Sequence, residues 1–444
     1  MIEDNVILTE DQEKALQALS DWWALSADHP DYYNCIFAAP AGCGKTFLAK
    51  HFTKQMKNAY PLFTATTNEA VRQLELAGVE AVTTHSALGL VPCTSQEQMK
   101  FIQKELPEAI QGCNLLIVDE ASMASHASEA EEKLIINYVL ELGIRTLWLG
   151  DTYQLPPIES DNGISPIFSL GFLEVNLTKV VRNKGDILTL CTELRKAIDA
   201  PVKRVPRLPA GVFQITLGQF YKYLQRESTQ ENFKSGKSIC IVWRNSTADA
   251  INAIVRNNLY GKDLASQEEY LPGDQILFTA PLMVGAFPEN PEYLVNNKQV
   301  KVGASVNTRA EIIKVNKDLL YNIPVYKCEI RIEGGQQANV YISTKQGKVN
   351  LNSVRAQIVK QAAEQKGYAK AATWQKWHAF NSIFAKVKNS YCITTHRSQG
   401  STIPNVIVNA NDILIGARSH KLLTFKMLYT AVSRASQSLT IIKD

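Results

Sequence analysis

The chain has no apolar run long enough to cross a bilayer, no Cys-x-x-Cys pair, no low-complexity tract and no internal repeat. Each absence removes a class. A transmembrane helix needs about 18 or more consecutive apolar residues, so none is expected. The eight cysteines (Cys35, Cys43, Cys93, Cys113, Cys191, Cys240, Cys328 and Cys392) are scattered through 444 residues with no histidine at metal spacing. Neither a disulfide frame nor a zinc site is expected, and the cysteines read as reduced thiols and small core fillers. Cys43 is the one whose oxidation would be felt. The opening MIEDNVILTEDQ is acidic and polar, unlike a signal peptide, so a cytoplasmic protein is expected. Net charge is also small, +4, with 45% hydrophobic and 20% charged residues, the balance of ordinary globular domains. The length points to more than one domain.

The small net charge hides an asymmetry. Residues 348–388 hold Lys348, Arg355, Lys360, Lys366, Lys370, Lys376, Lys386 and Lys388 against the single acid Glu364. That segment carries +7 and leaves −3 for the rest, so a local basic surface is available to polyanions. The aromatics Trp374, Trp377 and Phe380 recur in it every three residues, the spacing of a helix core.

Along the first 180 residues, short apolar runs alternate with helical patterns. NCIFAA, YPLFTAT, NLLIVDE and RTLWLGD read as buried strands of a parallel sheet covered on both faces. Between TTHSALGL and NLLIVDE lies a polar insert that is expected to protrude. PVKRVPRLPAG (201–211) reads as an exposed connector, and SICIVWRNSTADAINAIV as a further strand, loop and helix. From about 271 to 345 short β-rich pieces with turns suggest a small β barrel. The basic helical segment follows, and then an α/β pattern returns.

The chemistry begins at APAGCGKT, Ala39-Pro40-Ala41-Gly42-Cys43-Gly44-Lys45-Thr46, between a strand and a helix. Backbone N–H groups of such a loop wrap phosphates, and the helix N-terminus adds its positive end. Lys45 reaches the β- and γ-phosphates, and the Thr46 hydroxyl binds Mg²⁺. The usual first glycine is replaced by the small Ala39. Downstream, NLLIVDEAS places Asp119 at a strand end to hold Mg²⁺ through water, and Glu120 beside it to take a proton from an attacking water. Such a carboxylate pair favours hydrolysis over transfer to a small acceptor. A GTPase would need a DxxG switch at this strand end, and DEAS offers no glycine at that place.

Nine strings occur in a fixed order: LTEDQ, FTATTNEA, TTHSALGL, VDEASM, GDTYQLPPI, LTKVVRN, VWRNSTADAIN, TTHRSQGSTI and LYTAVSRA. Over nearly the whole chain this series resembles the superfamily 1 helicases, in the RecD-like 5′-to-3′ branch, with the Dda-type bacteriophage helicases the nearest likeness. The resemblance implies an α/β chain of two RecA-like P-loop domains, with a small hairpin insertion and an SH3-like β-barrel subdomain carrying a helical arm. The implied first domain is 1–180 with a strand-separating pin at about 90–112, and the second is built from 181–272 and 388–444. The subdomain is 273–387, with the arm at about 348–387.

The resemblance also assigns roles. Gln12 reads adenine, and Gln154 senses the γ-phosphate. Arg182 and Arg434 act as arginine fingers, and Gln399 and Gly400 belong to the same nucleotide interface. Thr66, Thr67, Asn68, Thr84, His85, Thr395, His396 and Ser398 sit at DNA-contacting positions. Thr66-Thr67-Asn68 stands where relatives carry Pro-Thr-His, which puts the contacts of that histidine in question. Phe101 falls where an aromatic tip of the pin would stack on a base pair. The implied activity is ATP- and Mg²⁺-dependent translocation on single-stranded DNA and unwinding of fork DNA by a monomer, in the host cytoplasm if the chain is phage-encoded. No membrane is involved, and a single-strand DNA-binding protein is a candidate partner for the arm. Two alternatives stay open: an ATP-dependent translocase or clamp that does not separate strands, and an RNA-directed motor of the same superfamily.

Overall fold

The computed structural model describes residues 8–93, 97, 100–124, 135–157, 164–180, 185–200, 205–280, 282–284, 301–304, 306–416 and 420–444. The apolar runs of the first 180 residues become strands of one sheet. Its order is Ala81–Thr83, Pro61–Ala65, Leu115–Asp119, Arg145–Gly150, Asn34–Ala38, Leu173–Asn176, and every neighbouring pair is parallel. Leu115–Asp119 and Arg145–Gly150 are buried at every position, as expected of strands covered on both faces. Leu48, Phe52 and Ile117 pack on one face, and Leu116, Val118 and Trp148 on the other. Parallel pairing brings the strand ends Ala38, Ala65, Asp119 and Gly150 to one edge, where α/β sheets collect their ligands.

A second parallel sheet has the order Cys392–Thr394, Ser238–Val242, Ile403–Asn409, Ala435–Ile442, Phe213–Ile215. Cys392–Thr394 lies beside Ser238–Val242 although some 150 residues separate them, so the intervening stretch is an insertion. That insertion carries an antiparallel sheet: Gln337–Ser343, Ile323–Ile332, Arg309–Leu320, Gln275–Phe278, Val387–Asn389. Where the β-rich composition suggests a barrel, the hydrogen bonds among the described residues make an open five-stranded sheet and a separate ribbon, Leu282–Val284 with Lys301–Ala304. The long hairpin Arg309–Leu320/Ile323–Ile332 turns through Tyr321 and Asn322, both left-handed with φ of 53° and 61°. Two such residues match the right-handed twist of the flanking strands.

The basic segment forms the helices Lys345–Glu364 and Gly367–Ile383. Leu351, Phe380, Ile383 and Phe384 pack on Ile323 and Val325 of the sheet. Trp374 and Phe380 are buried, and Trp374 meets Trp377 edge-on with centroids 6.0 Å apart. The three-residue aromatic spacing therefore serves packing.

The polar insert is a hairpin, Leu90–Cys93 with Lys100–Gln103. Gly89 at its base has φ of 65°, and a Cβ there would lie 2.8 Å from the Glu105 carbonyl, so only glycine fits. Phe101 sits on the second strand opposite Pro92 instead of in the turn, so it is not the tip residue the resemblance implies. Among the described residues no helix is long and apolar enough to cross a membrane.

Candidate nucleotide site and interdomain cleft

The loop after Asn34–Ala38 is shaped by Gly42 and Gly44, with φ of 82° and 88°. Gly44 caps the helix Lys45–Gln55, whose first turn presents Lys45 and Thr46. Lys45 Nζ donates to the Ala39 carbonyl at 2.8 Å, which folds the ammonium back over the loop where phosphate would take its place. Cys43 is fully buried inside this loop, and burial pushes its thiol up to about 12. A thiol so held stays protonated and inert, so the expected sensitivity of Cys43 to oxidation does not follow from its surroundings.

Thr46 Oγ1 donates to Asp119 Oδ2 at 3.0 Å, and the Glu120 N–H donates to Asp119 Oδ1 at 2.8 Å. A hydroxyl and a carboxylate converging at the head of a phosphate loop are the hard oxygen donors that Mg²⁺ accepts alongside substrate phosphates. Burial holds Asp119 above the ordinary carboxylate range, offset in part by the Lys45 charge. Glu120 is raised by burial and then by its neighbour Asp119, against the charges of Lys45 and Arg434. Glu120 also adopts a left-handed backbone, φ 51°, unusual outside glycine. That conformation turns its side chain out of the strand line, and Thr66 Oγ1 donates to its carbonyl at 3.2 Å.

The N-terminal helix Glu10–Trp23 opens on a capping box between Thr9 and Gln12, which sets Gln12 at its first turn beside this loop. The Gln12 amide accepts from the Thr9 N–H at 3.1 Å, and its Nε2 lies 3.3 Å from where a Gly44 Cβ would be. Asp11 accepts from the N–H groups of Thr178 and Lys179, each at 2.9 Å, tying this helix to the segment that leads towards Arg182. Arg182 itself lies outside the described residues.

The second parallel sheet reaches this site through its last helix, Lys421–Val432. Tyr429 donates to Asp151 Oδ2 at 3.0 Å, and Asp151 accepts the Ala41 N–H at 2.8 Å and Gln154 Nε2 at 3.0 Å. The Ala41 N–H also reaches the Tyr429 oxygen at 3.1 Å. Burial pushes the Tyr429 hydroxyl far up, so it stays a donor. Lys426 Nζ donates to the Thr152 carbonyl at 2.8 Å, and burial pulls this ammonium down to about 8. Gln399 Nε2 donates to the Leu155 carbonyl at 3.0 Å. Gln154 Oε1 and Gln399 Oε1 are buried with no partner among the described residues, as side chains awaiting a ligand donor would be. Arg434 is buried, with Nε on the Thr430 carbonyl at 3.1 Å and Nη2 on Ser433 Oγ at 3.0 Å. Its guanidinium is held by its own domain and must leave these partners to touch a phosphate. The sequence motifs give no role to Asp151, Tyr429 or Lys426, although Asp151 lies in GDTYQLPPI and Tyr429 in LYTAVSRA.

Beside this contact a cleft of about 430 Å³ opens between the sheets. Asn68, His85, Phe101 and Glu120 line it from the first sheet's side, and His396, Gln399 and Gly400 from the second. Phe101 lies on His85, ring centroids 5.0 Å apart. Burial lowers the His396 imidazole, which keeps it neutral. The other expected DNA residues divide. Thr66 and Thr67 border the cleft, but Thr66 supports Glu120, and Thr67 caps the helix Asn68–Leu76 through the Ala70 N–H at 3.2 Å. Thr84, Thr395 and Ser398 are fully buried, with hydroxyls on Thr64 Oγ1, the Val242 carbonyl and the Thr395 carbonyl. In this structure they stand behind the cleft walls and do not line it. Val306 and Asn307 of the inserted sheet complete the lining, Asn307 with φ of 70°. No sequence pattern marks that pair.

Residues 8–201 match the AAA domain family, and residues 389–442 the UvrD-like helicase C-terminal domain. The chain is 24% identical over 427 residues to the ATP-dependent DNA helicase dda of Enterobacteria phage T4, covering 90% of this chain and 92% of that one. Two solved structures share its fold. One is of Pif1 helicases unwinding forked double-stranded DNA, with TM-score 0.51, 17% identity, and 98% of this chain and 92% of that one covered. The other is of the Bacteroides Pif1 helicase with ADP-AlF3 and single-stranded DNA, with TM-score 0.50, 16% identity, and 99% and 93% covered.

Proposed function

We infer the activity of this chain from its family: it belongs to the superfamily 1B helicases of the Dda and Pif1 type, and it is an ATP-hydrolysing DNA helicase. Our finer reading is that it travels 5′-to-3′ on single-stranded DNA and opens the duplex ahead of it. The direction of travel rests on the family resemblance; what supports a motor is the position of Glu120, which belongs to the carboxylate pair and also lines the cleft.

The chain's own groups supply the steps. The amides of Gly42 to Thr46 and the Lys45 ammonium bind the triphosphate, and Gln12 stands where a base could meet its amide. Thr46 and Asp119 would hold Mg²⁺, which supplies charge neutralisation at the phosphates. Glu120 takes the proton of the attacking water. The free Oε1 of Gln154, within the same contact, accepts a hydrogen bond from that water and so orients it. Nucleotide then sits where Ala41, Asp151 and Tyr429 join the two parallel sheets, so a change in phosphate charge is felt by both. Thr66 couples the Glu120 carbonyl to the cleft wall, so a strand pressing on Asn68 and Thr67 can shift the catalytic carboxylate. His85 and His396 with Phe101 offer ring nitrogens and a stacking face without reading sequence. Phe101, off the hairpin tip, would meet a base inside the cleft.

This coupling has a direct consequence. Single-stranded DNA should raise the steady-state rate of ATP hydrolysis many-fold over the DNA-free rate, and Lys45→Ala should abolish both. A rate indifferent to DNA would remove the link between cleft and carboxylate.

A further inference from the structure

Four charged side chains, Glu69 buried and Arg72, Glu333 and Arg309 partly so, run from the first parallel sheet, through the inserted sheet, to the second. Arg72, on the helix that begins at Asn68, grips Glu69 with Nε at 3.1 Å and Nη2 at 2.9 Å. The same Nη2 reaches Glu333 Oε2 at 3.2 Å. Glu333 begins the turn of the hairpin Ile323–Ile332/Gln337–Ser343, and it also takes a two-pronged bond from Arg309, Nη2 at 2.6 Å and Nε at 3.1 Å. Arg309 Nη1 then reaches the Gly236 carbonyl at 3.4 Å, just before the strand Ser238–Val242. Gly334 and Gly335, with φ of 102° and 95°, let the turn bend, and the nearest atom to a Gly334 Cβ would be Arg72 Nη1 at 3.8 Å. The turn is thus shaped to seat the guanidinium. Burial would raise Glu333, but the two guanidinium charges bring it below the ordinary range, so it stays ionised.

The place of this relay gives it meaning. Glu69 lines the cleft from the first sheet's side, and Val306 and Asn307 line it from the inserted sheet. The relay therefore ties two walls of the cleft together, while Asp151, Tyr429 and Lys426 tie the first sheet's domain to the second. Those contacts close a ring of protein around the cleft. An acid lining a channel for a polyanion would repel it, and Arg72 cancels that charge on Glu69.

We propose that Arg72 and Glu333 form a clasp that shuts the inserted sheet against the first domain, so that a single strand in the cleft is encircled and leaves only when the clasp parts. This rests on the reading of the cleft as the path of single-stranded DNA. The clasp sets how long the protein stays on a strand, and it takes no part in hydrolysis.

The test is a cycle of Arg72→Gln, Glu333→Gln and the double variant, each checked for an unchanged thermal midpoint. Dissociation from a fluorescent oligothymidine is followed after mixing with excess unlabelled strand. Both single variants should dissociate roughly tenfold faster, the factor for a coupling of about 1.4 kcal/mol, and the double variant no faster than either. The rate of hydrolysis at saturating DNA should not move. Glu333→Gln is the decisive arm. It removes a negative charge beside a polyanion, so simple electrostatics would slow its dissociation, whereas loss of the clasp speeds it. Slower or unchanged dissociation of Glu333→Gln, from a wild-type protein that binds the strand, overturns the clasp and leaves the function intact. A wild-type protein that does not bind the strand overturns both.

Discussion

Glu120→Gln should bind ATP about as tightly as the wild-type chain and hydrolyse it about 10²- to 10⁴-fold more slowly, the range a positioned general base supplies. The substitution keeps the size of the side chain and its left-handed backbone, so the turn held by the Asp119 carboxylate and the Thr66 hydroxyl should persist. What it removes is the ability to accept a proton. Steady-state turnover with saturating single-stranded DNA, paired with titration of a fluorescent ATP analogue, separates the two effects. Burial and the Asp119 charge raise Glu120 above the ordinary carboxylate range, so the acid limb of wild-type kcat/KM should lie higher than an ordinary carboxylate would place it and be absent from the variant's residual rate. Turnover within a few-fold of wild type would take the base assignment away from Glu120.

Arg434→Lys should reduce DNA-stimulated turnover about 10³-fold, the lower end of what an arginine finger contributes. Lysine keeps the charge but loses the planar fork that can hold two phosphoryl oxygens at once. At rest, the guanidinium is occupied by the Thr430 carbonyl and the Ser433 hydroxyl. Its charge nevertheless acts on Glu120, so it lies within electrostatic reach of the chemistry. The two domains must close further for it to move onto a phosphate, and that closure is the step by which hydrolysis would become motion. Rapid-quench measurement of a single turnover reads this directly. A variant that keeps its thermal midpoint and loses only ATP affinity, with an unchanged single-turnover rate, would make Arg434 a binding residue.

The parts of this molecule that were legible in its sequence are those where local chemistry dictates structure. APAGCGKT must turn sharply between strand and helix, and continuous apolar runs such as NLLIVD must be covered on both faces, so loop, sheet and carboxylate pair could all be read directly. Hydroxyls were harder. Thr84, Thr395 and Ser398 occupy motif positions that suggest DNA, yet each is satisfied inside the protein, because a buried hydroxyl must find a partner and the nearest is backbone or another threonine. Phe101 could be placed on a hairpin but not on a particular side of its turn, since strand register depends on long-range packing. The inserted sheet carries no barrel signature that distinguishes closure from an open edge. Arg72 and Glu333 lie far apart in sequence with no pattern joining them, and only the fold brings them to 3.2 Å.

The central claim, that hydrolysis drives directed strand separation, is tested most directly by strand displacement on forked DNA bearing a 5′ tail, a 3′ tail or none, with ATP and Mg²⁺ and with Lys45→Ala as the blank. The expected result is displacement only from the substrate with a 5′ tail. Vigorous DNA-stimulated hydrolysis without displacement on any substrate would contradict it, and would make the chain a translocase or clamp that grips a single strand and leaves the duplex closed.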